Sequence, residues 1–108
     1  MDATAFDLIE DAWFSIRDNF DDLLQAAATP QARKSLLADR DGARDAYYHA
    51  LGKAFDEQDH FVQKTKAELA GVTGDLKAAL RDLQNLVAAL ALVSSAVKLM
   101  AALAAMVV

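Results

Sequence analysis

Between Leu86 and Val108 the chain carries one charge, Lys98, and neither glycine nor proline. The other residues of that stretch are five Leu, five Val, two Met, eight Ala and two Ser. With no internal breaker the run reads as a helix, and a helix apolar on every side must be covered on every side. That requirement constrains a chain of 108 residues more than anything else in it.

A core stripe passes through Leu83, Leu86, Leu90, Val93, Val97, Met100, Ala104 and Val107, and a second through Leu92, Leu99, Leu103 and Met106. A helix in a three-helix monomer keeps roughly a third of its circumference in water, so the second stripe is expected to stand bare. A row of that length exceeds the apolar patches soluble monomers tolerate.

A bilayer or another copy of the chain could cover it. About 20 apolar residues suffice to span a membrane. Insertion is nevertheless marginal. Ten Leu and Val contribute roughly −3 to −6 kcal/mol, Lys98 near the centre returns about +3, and Ser94 and Ser95 push the balance towards zero. No basic cluster flanks the segment to set its orientation. The reading is therefore a facultative membrane segment. Its rival is the core helix of a soluble homo-oligomer, with Lys98 reaching to the rim and Ala and Ser allowing close approach.

The rest of the chain also reads as helix. Phe6, Ile9, Trp13, Ile16, Phe20, Leu23 and Ala27 alternate spacings of three and four, which predicts an amphipathic helix over about residues 3–28. Thr29-Pro30 supplies an N-cap and a first-turn proline for the next helix, over about 30–70. Its expected inner face holds Leu36, Ala43, Tyr47, Ala50, Leu51, Ala54, Phe55, Phe61, Val62 and Leu69. A break is possible at Asp39-Arg40-Asp41-Gly42, and a firmer stop is expected at Gly71-Val72-Thr73-Gly74. The third helix would then run over about 75–108, roughly 50 Å by its rise per residue. Short connections make neighbours antiparallel. The expected fold is all-α and single-domain: a long helical hairpin within an up-down-up three-helix bundle, ending in the apolar helix.

Charge narrows the partners. The net charge is −5, and residues 1–24 hold seven acids against the single base Arg17. A phosphate backbone demands a basic face, so nucleic acid is not an expected partner. Cysteine is absent, which removes disulfides and thiolate metal sites. No charged segment followed by an apolar one opens the chain, so a cleavable signal peptide is not expected.

Motifs that could carry chemistry fail on inspection. With Gly42 at the sixth position of a calcium loop, Leu37 and Tyr48 occupy its first and last positions, and neither ligates calcium. Glu57-x-x-His60 has the spacing of a di-iron ligand pair, but such sites need two units and further glutamates. Residues 43–53 and 54–64 share the pattern Ala-x-Asp-x-x-x-His-x-(Leu/Val)-x-Lys. On one helix this sets Asp45 by His49 and Asp56 by His60 along one face, a candidate pH-sensitive strip. Trp13, Tyr47 and Tyr48 are candidate interfacial anchors, with core packing the better account of Trp13. No nucleophile–base set or phosphate loop is present, so no catalysis, metal or cofactor is expected.

In architecture, with no shared motif, a long soluble hairpin beside an apolar segment at residues 86–108 resembles the helical pore-forming toxins. Small helical secretion and scaffold proteins have the same plan without lipid. The expectation is a non-enzymatic protein that self-associates and engages a membrane through its apolar helix, with Leu92, Lys98, Leu99, Leu103 and Met106 at the contact. The alternative is a soluble obligate homo-oligomer or adaptor.

Overall fold

Thr4 begins the fold by capping a helix. Its hydroxyl accepts from the Asp7 amide while the Asp7 carboxylate accepts from the Thr4 amide, a reciprocal capping box. The computed structural model describes residues 3–108. Within it α1 spans Ala5–Asp18, α2 Phe20–Ala26, α3 Pro30–Ala50, α4 His60–Leu80 and α5 Leu86–Ala104, the last preceded by a 3₁₀ turn at Leu83–Asn85. The all-α class stands, but the expected three helices are five.

The stripe of α1 and α2 lies where its spacing put it. Ile9, Trp13, Ile16, Phe20, Leu23 and Ala27 are buried, and Phe6 packs against the core. The helix over 3–28 is nonetheless cut at Asn19, whose side-chain amide donates to the Ser15 carbonyl at 2.8 Å. An Asn side chain that takes a helix carbonyl offers the backbone a way out of the ladder.

Thr29 caps α3 and Pro30 opens it, as expected. The helix then continues through residues 39–42 without a break. Gly42 sits where α3 meets α5: a Cβ there would lie 3.1 Å from Cγ1 of Val97. The glycine permits close packing and does not end the helix.

The break falls instead at residues 51–59. Leu51 (φ −62°, ψ 123°) and Gly52 (φ +75°) form a type II turn closed by the Lys53 amide donating to the Ala50 carbonyl at 3.0 Å. Asp56 accepts from the Gln58 amide, and Asp59 caps α4 by accepting from Phe61 and Val62. The continuous helix over 30–70 is therefore corrected to two helices. Of its expected inner face, Leu51, Ala54 and Phe61 are exposed.

The stop expected at 71–74 is also corrected, because α4 runs through it. Leu69, Thr73 and Leu76 are buried at helical spacing, and that packing outweighs a propensity cost of about 1 kcal/mol per glycine. The chain turns at Arg81–Asp82, and Asn85 caps α5 by accepting from the Ala88 amide. Nineteen residues make α5 roughly 28 Å long, little more than half the expected length.

Contacts along the helices fix their directions. Tyr47 meets Glu10 while Arg40 stacks on Phe20, so α3 returns along α1. Glu57, just ahead of α4, meets the start of α1, and Lys77 meets Asp11, so α4 runs with α1. Leu36 shares a groove with Leu90, and Gly42 meets Val97, so α5 runs with α3. The three-helix plan becomes four long helices alternating in direction, with α2 in the first connection. The body measures 42 × 22 × 19 Å, and α5 packs against α4, α3 and α1.

Candidate interaction surface

Helices α1, α3 and α4 cover α5, and the covering turns every large apolar side chain of α5 but Val87 towards protein. Ala89, Val93, Ala96, Met100, Leu103 and Ala104 are buried, and Leu86, Leu90, Leu92, Val97 and Leu99 pack against the core, as does Met106 just beyond the helix. The bare sector holds Val87, Ala91, Ser95, Lys98, Ala101 and Ala102, with Ala105 following the last turn. At about 100° per residue these positions fall within a sector of roughly 120°. Both large apolar stripes face protein; what faces outward is small, with one valine and one lysine.

This revises the picture of the contact residues. Leu103 is fully buried, Leu92, Leu99 and Met106 are half-buried, and Lys98 alone of the five is exposed. Near Lys98, Asp39 lines a groove between α3 and α5 with Ser35, Leu36, Leu90 and Ser94. Burial pushes the Asp39 carboxyl above its ordinary range, and the positive charge of Lys98 opposes that rise.

The candidate pH-sensitive strip is divided. Asp45 and His49 are exposed on the last turns of α3, Asp56 lies in the connector, and His60 is the first residue of α4. Among the described residues neither histidine forms an ion pair, and the His60 ring stands edge-on to Phe61 at 5.7 Å. Because the type II turn and the Asp59 cap end the helical repeat between the two histidines, the single face they required does not exist.

Glu57, the other half of the di-iron spacing, has different partners. Its carboxylate accepts from the Ala5 amide at 3.1 and 3.2 Å and from Lys66 Nζ at 2.8 Å. An anion at a helix N-terminus offsets the partial positive charge of the free amides there. Trp13 is in the core, as its stripe implied. Tyr47 is ringed by Phe6, Trp13, Phe14 and Tyr48 at centroid distances of 5.3–6.3 Å, and its hydroxyl lies 3.4 Å from Glu10. Desolvation, then the Glu10 carboxylate, push the Tyr47 phenol above its usual value.

Sequence reasoning missed the connector as a site of contacts. Besides Glu57 it holds the chain's end: Val108 donates its amide to the Ala54 carbonyl at 2.9 Å, and Phe55 pairs with Val107 in an antiparallel bridge. Beside them Asp56, Asp59, Phe61, Val62, Met106 and Val108 line a shallow groove. The available signal was Leu51-Gly52 followed by Asp56 and Asp59, a turn pair and two capping residues. Comparisons of the chain with protein families, curated proteins and solved structures returned no match.

Proposed function

We propose that this is a non-enzymatic helical protein that self-associates and engages a membrane through the apolar segment at Leu83–Ala104. One observation carries the reading. The most apolar 18-residue stretch of this span has a mean hydropathy of 2.2, yet only 28% of its residues are fully buried. A helix serving solely as a soluble core would be mostly enclosed. The length of α5 also approaches the roughly 30 Å of a bilayer's hydrocarbon core. Its largest side chains are held by α1, α3 and α4, so insertion requires the bundle to open, and Lys98 keeps insertion close to balance.

The composition of the bare sector favours a second reading, a soluble oligomer. Ala91, Ser95, Ala101 and Ala102 leave room for another helix to approach closely. Flotation with phosphatidylcholine liposomes, paired with light scattering in detergent-free buffer, separates the two. Flotation of the chain supports the membrane reading. A uniform oligomer indifferent to lipid overturns it in favour of the second.

A further inference from the structure

The two ends of α5 are held differently. At its start, Asn85 caps the helix from within the same segment, and Val87 is 80% exposed. At its end the chain is tied to a distant part of the sequence. The Val108 amide donates to the Ala54 carbonyl, Val107 bridges to Phe55, and Met106 packs in the groove with Phe61 and Val62. The same nine residues reach two other helices. Glu57 accepts from the first amide of α1 and from Lys66 of α4, an ion pair whose lysine side chain is only 16% exposed. Asp59 caps α4 itself. The connector is thus the one described segment bound to α1, to α4 and to the residues just past α5.

We infer that the 51–59 connector is a latch on α5, whose opening frees Val107, Val108 and the last turns of α5 before the rest of the bundle unfolds. The strand-like pairing is two residues wide, too short to persist without its anchor, since even a two-stranded hairpin is marginal in water. Glu57 supplies the anchor: its hydrogen bonds to Ala5 and Lys66 fix the connector against two helices, and the backbone at Ala54 and Phe55 is then presented to Val107 and Val108. Once the latch is open, Met106, Val107 and Val108 lose their partners together. Any bearing of the latch on lipid rests on the membrane reading above; the latch itself operates in water.

Hydrogen exchange of the full chain in lipid-free buffer tests it. Val108→Pro removes the donated amide and leaves Glu57 in place; Glu57→Gln keeps a hydrogen-bonding side chain and removes the charge. In both, amides from Ala101 to Met106 should exchange about tenfold or more faster, and well ahead of the buried amides of α1 and α3 around Ile9 and Ala43, which open only when the bundle unfolds. Unchanged exchange at Ala101–Met106 in both variants overturns the latch. Exchange of Ala101–Met106 at the same rate as the amides around Ile9 and Ala43 overturns it too, because the end of α5 would then open only with the whole fold. Flotation of the same variants with phosphatidylcholine vesicles is a separate measurement. Accelerated exchange without flotation of any variant removes the membrane reading and leaves the latch standing.

Discussion

Helices α1 and α5 both bury a row of apolar side chains, but they choose the row by different rules. In α1 the acids fall between the apolar residues, so polarity alone selects the inner face: Ile9, Trp13 and Ile16 go in, Asp7, Arg17 and Asp18 stay out. In α5 almost nothing is polar, and size selects instead. Leu, Met and every Val but Val87 are turned to protein, along with Ala89, Ala96 and Ala104, while the outer side is left to Val87, the remaining exposed alanines, Ser95 and the one lysine. A large side chain gains more from cover than a methyl group does, roughly in proportion to the apolar area removed from water. A helix without a polar face can therefore still have a well-defined orientation.

If size sets the orientation of α5, its inner positions should be as costly to hollow as those of α1. Leu103→Ala and Ile9→Ala each remove a fully buried side chain, and each should lower stability by about 2–5 kcal/mol in urea titration. A loss below about 1 kcal/mol for Leu103→Ala alone would show that α5 is loosely seated.

Gly42 sharpens the contrast at the seam between α3 and α5. A Cβ there meets Val97, so Gly42→Ala should cost about 1 kcal/mol in the wild-type background. With Val97→Ala the space opens and the better helix former should win, turning the same change into a gain of about 0.5–1 kcal/mol. Absence of that coupling in the double-mutant cycle would place the helices further apart.

The bare sector should respond least in stability. Ala102→Glu should shift unfolding by no more than about 0.5 kcal/mol, with helix content kept by circular dichroism. It should nevertheless abolish flotation or assembly, since the charge stands on the only side of α5 open to a partner.

Smaller still is the effect of Asp39. Burial raises its folded-state pKa, so the folded chain holds that proton more tightly than the unfolded chain. The contribution to stability is complete below the ordinary carboxylate range and is lost as pH rises through the folded value. Asp39→Asn should accordingly raise the urea midpoint slightly at pH 7 relative to wild type, and the advantage should vanish near pH 3.

The same comparison explains what could be read in the sequence. The stripe from Phe6 to Ala27 and the Thr29-Pro30 start were legible because polarity and capping chemistry mark them locally. The turn at Leu51-Gly52 was not, because the recurring Ala-x-Asp-x-x-x-His pattern gave residues 43–64 an uninterrupted helical period. Glycines misled in both directions. Gly42 looked like a hinge and is a packing contact; Gly71 and Gly74 looked like a stop, but Leu69, Thr73 and Leu76 carry the core past them. The outer face of α5 could not be chosen from composition, since the helix carries two apolar stripes and four-helix packing covers both.

The connector has one more consequence, in the order of folding. Its contact from Glu57 to Ala5 closes a loop of 52 residues, and that from Ala54 to Val108 closes one of similar size. The α4–α5 pair, by contrast, is joined by five residues and closes cheaply. Long closures are disfavoured until other contacts have shortened the path. The connector should therefore assemble after the barrier is crossed, so that Glu57→Gln speeds unfolding in a chevron while the refolding limb stays where it is. How long the native bundle lasts, rather than how fast it forms, is set at Glu57.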